Sequence, residues 1–172
     1  MSIWRRLIRF GFRLLYHELA VTYDTVSWLV SGGEWTAWCR AALSVTHPQP
    51  DEMVLEVAHG TGVLQLDLAQ AGITAWGVDY SPQMGRIAAG KLRRHGYEAR
   101  LIRAQGQALP FPTAACDVLL CTFPSDFLIA PETLSEFRRV LKPDGRGAIV
   151  LHGGLTRGNL WLRLMNGLFR IT

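Results

Sequence analysis

Two glycines and an aspartate give this chain the means to hold a nucleoside. The residues from Val54 to Gly62 form an apolar strand followed by a glycine turn, and Asp79 ends the next apolar stretch. Gly60 and Gly62 let the backbone approach a ligand closely, and a helix that begins near Thr61 points free N–H groups at an anionic group. The Asp79 carboxylate can accept hydrogen bonds from both hydroxyls of a ribose. The spacing therefore predicts a βαβ unit that binds a nucleoside.

The glycine spacing argues against a dinucleotide. A dinucleotide-binding loop would carry a third glycine three positions after Gly62, where this chain has Gln65. No Lys-Ser or Lys-Thr pair follows the glycines to hold the outer phosphates of a nucleotide. A ligand with a ribose and no phosphate fits better, and S-adenosylmethionine is such a ligand.

Four further segments occur in order around this unit. They are Tyr23-Asp24 before the first predicted strand, Leu109-Pro110-Phe111 after the third, Asp117-Val118-Leu119-Leu120 as the fourth, and Val140-Leu141-Lys142-Pro143-Asp144-Gly145 before the fifth. With them the chain resembles the class I methyltransferases over residues 20 to about 152, and within that group the ubiquinone/menaquinone C-methyltransferase-like (methyltransferase type 11) branch. The resemblance implies S-adenosyl-L-methionine as the cofactor and methyl transfer as the activity.

The resemblance also implies a set of cofactor-binding residues, with two departures from the usual pattern. Glu56 matches the acid that supports the glycine loop and the methionine amine, but Ala58 replaces the first glycine, which costs little if its φ is negative. Gln105 replaces the acid that accepts from the adenine amino group, and the N–H of Gly106 can face the ring. The full predicted set is Tyr23, Glu56, Ala58, His59, Gly60, Gly62, Asp79, Tyr80, Met84, Gln105, Gly106 and Gln107.

Catalysis requires fewer side chains than cofactor binding does. A sulfonium methyl group is already electrophilic, so alignment of the acceptor is the main task, and alignment can supply roughly 7–11 kcal/mol of the barrier. If the acceptor is a phenol-like ring carbon, as the branch implies, a base must also help to form the phenolate. The candidates are His152, at the end of the fifth predicted strand, and Asp126, just past the fourth.

Alternating apolar strands and helices predict the fold class. Strands are expected near 53–57, 74–78, 99–103, 116–121 and 147–152, with helices near 62–71, 82–95 and 132–141 and two or three more in residues 3–45. This is an α/β pattern, which predicts a parallel sheet covered on both faces. The resemblance implies a Rossmann-like doubly wound sheet of strand order 3-2-1-4-5. We expect one domain, with an N-terminal helical cap at 1–46, a cofactor-binding core at 51–152 and a C-terminal helix at 153–172.

The resemblance further implies an antiparallel sixth and seventh strand, for which the sequence has no place before Thr172. Strand five would then be an apolar edge at Ala148 to Leu151 with unpaired backbone groups. Either the chain is shortened relative to its relatives, or another subunit covers this edge and the protein is a homo-oligomer.

The net positive charge of the chain belongs to its two ends. The formal net charge is +4, yet residues 17–145 hold ten Lys and Arg against fourteen Asp and Glu. A nucleic-acid-binding protein should carry basic charge on its folded body, so nucleic acid is excluded as a partner.

The ends also have amphipathic patterns. From Trp4 to Leu15 apolar residues recur at helical spacing beside Arg5, Arg9 and Arg13, and Leu160 to Ile171 repeat the design. The first helix would be roughly 20 Å long, too short to cross a bilayer. It either lies in an anionic membrane surface or packs on the sheet with its arginines in solvent.

Cysteine use and hydropathy predict a cytoplasmic protein, or one bound peripherally at the inner face of the membrane. No apolar run is long enough to span a bilayer or to act as a secretory signal. Cys116 and Cys121 lie on opposite sides of one strand and Cys39 has no obvious partner, so free thiols are expected. The histidines show no ligand spacing, so no metal site is predicted.

Three functions remain open on the sequence alone. The first is methyl transfer from S-adenosylmethionine to a hydrophobic small molecule, a quinone precursor or a lipid, at the membrane surface. The second is a soluble methyltransferase that acts on a polar metabolite. The third is a shortened, catalytically silent relative that binds the cofactor or a partner subunit.

Overall fold

The computed structural model describes residues 22–124, 128 and 130–154. Asp126 and the two amphipathic segments predicted at the ends of the chain lie outside the described residues, so those predictions stay as they are. The elements in chain order are α1 (Tyr23–Val30), α2 (Trp35–Thr46), β1 (Val54–Val57), α3 (Val63–Gln70), β2 (Ala75–Asp79), α4 (Pro82–Arg94), β3 (Leu101–Arg103), β4 (Cys116–Thr122), α5 (Pro131–Val140) and β5 (Leu141–Val150).

The strands form one five-stranded sheet of order β3-β2-β1-β4-β5 in which every pairing is parallel. This confirms the predicted α/β class and strand order. The chain reverses its direction of travel across the sheet between β3 and β4, and ligands of such sheets bind beyond the carboxyl ends of the strands at this switch point. The ends of β1, β2 and β4 therefore define where the site must lie.

Both faces of the central strands are covered. All four residues of β1 are buried, and Val118, Leu119 and Leu120 of β4 are at most 2% exposed. One face packs against α2, α3 and α4, while the other packs against α5 and the segment around Leu109. Helices on both faces explain the continuous apolar runs that the sequence shows in β1 and β4.

The fifth strand begins earlier than predicted. We expected 147–152, but β5 starts at Leu141, directly after α5, and ends at Val150. Leu141 pairs with Cys116 and Arg146 pairs with Val118, so the intervening residues bulge out of the ladder. Pro143 lies in this bulge and has no N–H to donate, which explains the irregularity.

Among the described residues β5 is an outer strand that pairs only with β4. Ile149 is 40% exposed and Leu151, just past the strand, is 63% exposed. Burial on both faces therefore holds for β4 but not for β5. Association of two chains through this edge stays a prediction.

Arg146 fastens β5 to the start of the core at the end of the sheet away from the site. Its guanidinium donates to both carboxylate oxygens of Glu52, at 2.6 and 2.8 Å. It also donates to the carbonyl oxygens of Thr46 and of His47, the latter at 3.0 Å. One side chain thus joins the last turn of α2, the segment before β1 and the outer strand.

The three cysteines are free and buried, as predicted. Burial raises the pKa of the Cys39 thiol to about 12 and that of Cys116 to about 11, and it raises the pKa of Cys121 as well. None of the helices in the described part of the chain is both long enough and apolar enough to cross a membrane.

Candidate functional site

Asp79 lies at the carboxyl end of β2, and each oxygen of its carboxylate accepts a hydrogen bond from the backbone. Its Oδ2 accepts the N–H of Gly60 at 2.9 Å, and its Oδ1 accepts the N–H of Ser81 at 2.8 Å. These bonds fix the carboxylate between the glycine loop and the first turn of α4. Each carboxylate oxygen can still accept another hydrogen bond, so the pair matches the two adjacent hydroxyls of a ribose.

The glycine loop alternates left-handed residues with right-handed or extended ones. Ala58, Gly60 and Gly62 have φ values of +60°, +53° and +77°. A Cβ added to Gly60 would meet no atom within 4 Å, so the space beside this residue is open. A Cβ added to Gly62 would lie 2.8 Å from the Cβ of Ala88, so this glycine lets α3 and α4 approach each other closely.

The condition we placed on Ala58 is not met, because its φ is positive. The N–H of Ala58 donates to the carbonyl of Val78 at 2.7 Å, and this bond ties the end of β1 to β2 while the chain turns away. A left-handed conformation costs an alanine about 1–2 kcal/mol. Ala58 therefore stores backbone strain at the point where the resemblance implies a glycine.

His59 is buried inside the loop and is 4% exposed. Its Nδ1 lies 2.8 Å from the carbonyl oxygen of Gly60, so Nδ1 carries the proton and donates it. Burial lowers the pKa of the ring, although the nearby Asp79 charge acts in the opposite direction. A buried, neutral imidazole shapes the loop from within.

Glu56 is buried beneath the loop at the end of β1. Its Oε2 accepts a hydrogen bond of 2.8 Å from Nε2 of Gln65, the residue at the position where a dinucleotide loop would have its third glycine. Burial raises the pKa of Glu56 to about 8, with smaller contributions from the charges of Asp79 and Asp67, and the Gln65 bond opposes the rise. Gly77 of β2 makes room for this group, because a Cβ there would lie 2.9 Å from the ring of His59 and 3.2 Å from Gln65.

The helical cap docks on α4 through Tyr23. Tyr23 is 9% exposed and its ring meets Trp35 edge to face, with 5.9 Å between centroids. Met84 is fully buried and belongs to the same cluster. Met84 thus packs from α4 against the cap.

Asp24 joins the cap to the glycine loop. Its Oδ1 accepts the hydroxyl of Thr61 at 2.6 Å, and its Oδ2 lies 3.1 Å from Nζ of Lys91 in α4. The Tyr23-Asp24 pair therefore has two roles, since the ring anchors the helix and the carboxylate holds the loop.

Tyr80 presents an exposed ring next to Asp79. The side chain of Arg103, at the end of β3, lies over this ring at 5.5 Å from its centroid. Nε of Arg103 also donates to the carbonyl of Tyr80 at 3.1 Å. Tyr80 is 57% exposed, and Arg103 holds its ring from the side of the protein.

The segment after β3 forms a turn beside Asp79. The N–H of Ala104 donates to the backbone carbonyl of Asp79 at 3.3 Å, and the N–H of Ala108 donates to the carbonyl of Gln105 at 3.1 Å. Gln105 is exposed, while Gly106 and Gln107 are partly buried. The structure thus brings these three predicted residues to the β2 side of the site.

Two residues that the sequence analysis did not single out hold the far end of this turn. Glu136 of α5 accepts the N–H of Leu109 at 2.8 Å. Arg139 donates to the carbonyl oxygens of Leu109 and Phe111, at 3.0 and 2.7 Å, and to both oxygens of Glu136 at 2.6 and 2.7 Å. Their spacing of three residues in a predicted helix was the only sequence signal.

An aromatic cluster lies at the carboxyl ends of β4 and β5. Phe123 stacks on Trp35 with 4.3 Å between centroids and lies 6.1 Å from Trp38. Its φ is +47°, unusual for a bulky residue, and its N–H donates to the carbonyl of Val150 at 2.7 Å. The sequence analysis missed Phe123, because no residue type marks a left-handed aromatic.

Of the two catalytic candidates, only His152 lies among the described residues. It follows β5 by two positions and is exposed. The sequence placed it as the last residue of the strand, whereas it lies two positions beyond the carboxyl end. No contact joins it to the glycine loop within the part of the chain that the structure describes. Its role as a base stays a prediction.

Comparison with known proteins identifies relatives of this chain. The family described as "Methyltransferase domain" matches residues 54–145. A demethylmenaquinone methyltransferase of Thermus thermophilus is 35% identical over 135 residues, which are 77% of this chain and 61% of that protein. The ubiquinone/menaquinone biosynthesis C-methyltransferase UbiE of Geobacter sulfurreducens is 31% identical over 172 residues, 95% of this chain and 67% of the relative.

A solved structure agrees on the fold. A putative S-adenosyl-L-methionine-dependent methyltransferase from Methanococcus maripaludis superposes with a TM-score of 0.68 at 18% identity, over 91% of this chain and 71% of that chain. The chain spans about six tenths of the length of the curated relatives that it matches first.

The strain at Ala58 generates a stability prediction. Ala58→Gly should raise the free energy of unfolding by about 0.5–1 kcal/mol, because the relief of the left-handed conformation exceeds the added freedom of the unfolded chain. Urea unfolding measures the change. A second left-handed alanine, Ala114 with a φ of +52° before β4, provides a parallel test of the same effect. Ala114→Gly should stabilise by a similar amount, and a loss of stability in Ala58→Gly would contradict the strain.

The buried carboxyl of Glu56 generates a pH prediction. The folded protein keeps this proton until about pH 8, whereas a free glutamate releases it near 4.5. Folding therefore takes up a proton between these values, and the wild type should lose stability there relative to Glu56→Gln by up to about 1.4 kcal/mol per pH unit. Above pH 8 the difference should level off. Parallel stability curves for the two proteins from pH 5 to 9 would show that Glu56 ionises freely.

Proposed function

Since the chain belongs to the class I S-adenosylmethionine-dependent methyltransferases, in the UbiE-like branch, we propose that it transfers the cofactor's methyl group to a hydrophobic small molecule. The acceptor is a quinone precursor or a lipid, met at the membrane surface. The observation that carries the proposal is the carboxylate of Asp79 beside the open glycine loop, whose two oxygens accept hydrogen bonds from the N–H groups of Gly60 and Ser81.

The residues present fit the cofactor. Asp79 offers two fixed oxygens to a ribose, and its remaining lone pairs suit a diol and repel a phosphate. The open space at Gly60 gives the ligand access to the backbone. The exposed ring of Tyr80 gives a nucleobase a surface to stack on, next to the turn at Gln105.

The strand order indicates which part of the cofactor each loop would hold. When bound, the cofactor supplies an electrophilic methyl group on a sulfonium sulfur. A ribose held on β2 leaves the glycine loop of β1 to hold the amino-acid part, with Glu56 below it. The methyl group would then face the ends of β4 and β5, where the protein's task is to align the acceptor and to exclude water.

Aromatic side chains at this position support an apolar acceptor. Trp35, Trp38 and Phe123 form a continuous surface between α2 and the end of β4. Such a surface favours a flat ring over a charged metabolite, because stacking and apolar burial contribute while no fixed charge is available in the cluster. A proton released from the acceptor would need a base, for which His152 and Asp126 are the candidates.

The cap supplies a second argument, for the membrane surface. Val26, Trp28 and Leu29 of α1 are 36%, 61% and 52% exposed, although the opposite side of the helix is buried through Tyr23 and Ser27. Apolar and aromatic residues on the outside of a cap are what an interfacial helix would use. Together with the basic segment predicted at Trp4 to Leu15, they support binding at a lipid surface.

The decisive experiment is a methyl-transfer assay with labelled S-adenosylmethionine and a crude cell lipid extract. Label that moves into the organic phase supports the proposal. Label in a water-soluble product instead supports a polar metabolite. Cofactor binding without transfer in either phase would indicate a catalytically silent relative.

Cofactor binding should depend on Asp79. Asp79→Ala removes two charged acceptors from the ribose, each worth about 1.5–3 kcal/mol, and should weaken binding of S-adenosylmethionine at least about tenfold in isothermal titration. The exposed Asp51 lies at the other end of β1, so Asp51→Ala should bind like the wild type. NAD should give no heat of binding. Unchanged affinity in Asp79→Ala would remove the proposed site.

Membrane binding should depend on the terminal arginines. Replacing Arg5, Arg9 and Arg13 by Gln should weaken binding to anionic vesicles by roughly 1 kcal/mol per arginine, and added salt should weaken it further. A triple replacement of the exposed α4 arginines makes the same change in net charge and should have little effect; these are Arg86, Arg93 and Arg94. Co-sedimentation at low salt measures both. Wild-type protein that stays in the supernatant would refute the membrane part of the proposal.

A further inference from the structure

One side of α4 contacts both the cap and the glycine loop. Met84 packs against Tyr23 of the cap, and Ala88, one turn further along, lies against Gly62. Lys91 follows after another turn, and residues three or four positions apart share one side of a helix. The three positions therefore form a single row on α4.

Lys91 lies where the cap meets the loop. Its Nζ is 3.1 Å from Oδ2 of Asp24 and 3.4 Å from Oγ1 of Thr61. The Thr61 hydroxyl donates in turn to Oδ1 of Asp24 at 2.6 Å. The three polar groups thus form a closed triangle, and each of them comes from a different part of the chain: α4, the cap and the glycine loop.

Lys91 differs from the other basic residues in the last turn of α4. Arg93 and Arg94 are exposed, as expected of cations that interact with the carboxyl end of a helix and with solvent. The side chain of Lys91 is only 16% exposed, and it pairs with an Asp24 side chain that is 48% exposed. A cation that gives up most of its water needs a partner, and Asp24 supplies the opposite charge.

Thr61 is the part of the glycine loop that the triangle holds. It is 3% exposed and lies between Gly60 and Gly62, both of which have positive φ. Glycines allow a turn many backbone conformations, so an anchored residue between two glycines restricts it. The free N–H groups at the start of α3 point at a ligand only while this turn keeps its shape.

We propose that Lys91 is a positioning residue for the cofactor. By holding Asp24 and Thr61 together, it keeps the glycine loop in its cofactor-binding shape and the cap docked on the loop. Without the lysine charge, Asp24 would keep a single bond to Thr61, and water would compete for a carboxylate that is already nearly half exposed. The cofactor would then have to order the loop itself, which lowers its affinity. The inference rests on the proposed function only in placing the amino-acid part of the cofactor on this loop.

Binding of S-adenosylhomocysteine, the inert product of the cofactor, tests the inference apart from catalysis. Lys91→Met removes the charge but keeps a side chain of similar length. It should weaken binding about threefold to fivefold in isothermal titration, the upper range for a partly exposed ion pair. Arg94→Met is the matched control, because it removes the same charge from the same turn of α4 at an exposed position, and it should bind like the wild type.

A double-mutant cycle separates positioning from general stability. Asp24→Asn should weaken binding by a similar factor, and adding Lys91→Met to it should cause little further loss, because the two groups act as one unit. Arg40→Met breaks the bridge from α2 to Asp67 of α3, away from the loop, and should leave the affinity unchanged whatever it does to the melting temperature. Lys91→Gln serves if Lys91→Met does not fold. Its amide can still donate to Asp24, so the loss should be smaller.

Three results would overturn the inference. They are an unchanged affinity in the Lys91 variants, an equal loss in Arg94→Met, and fully additive losses in the double variant. A wild type that does not bind S-adenosylhomocysteine at all would instead refute the proposed function. Weakened binding in Asp79→Ala with none in Lys91→Met would leave the proposed function standing and remove only this inference.

Discussion

The bonds from Gly60 and Ser81 to the carboxylate of Asp79 are the interaction on which the site depends. They join the loop after β1 to the first turn of α4. The parallel strands bring these two segments to the same edge of the sheet, and the bonds to Asp79 fix one relative to the other. The backbone carbonyl of Asp79 in turn holds Ala104, after β3. One residue therefore sets the relative positions of three loops, and a ligand that binds its side chain finds all three already arranged.

Beneath this edge the protein buries polar groups that a stable core would avoid. Glu56 and His59 are both nearly inaccessible, and burial shifts the pKa of each toward its neutral form. Gln65 completes the arrangement by donating to Glu56, and Gly77 provides its space. A buried carboxyl with a single amide partner is costly, and residues that break the rules of a stable core in this way are typical of functional sites. A positively charged group bound above the loop would favour the ionised form of Glu56 and so offset part of this cost.

The sequence predicted the fold well because its signals are local and repeated. Apolar runs, their order and the glycine turn were sufficient for the parallel α/β class and for the position of Asp79, and the resemblance to a known family supplied the strand order. The sequence did not predict the features that depend on contacts between distant parts of the chain. The φ of Ala58 is set by its bond to Val78 on a neighbouring strand, and the start of β5 is set by pairing with Cys116 around Pro143. The pairing of Arg139 with the loop at Leu109, 30 positions away in the chain, leaves no local pattern that could have been found.

Left-handed non-glycine residues occur at both ends of the sheet, with His47 and Ala114 at the amino end. At the ligand end, Ala58 and Phe123 adopt this conformation, and their N–H groups are bonded to the carbonyl oxygens of Val78 and Val150 on neighbouring strands. At the other end, Arg146 joins three elements with bonds of ordinary geometry to Glu52 and His47. Strained residues persist only where their surroundings over-determine them. Phe123 meets this condition through its stacked partner and its bond to β5. The left-handed backbone of Phe123 turns its ring onto Trp35 and Trp38 of the cap and closes the apolar surface at the end of β4. The edge beyond β1 and β2 is thus organised by hydrogen bonds to Asp79, and the edge beyond β4 and β5 by aromatic packing.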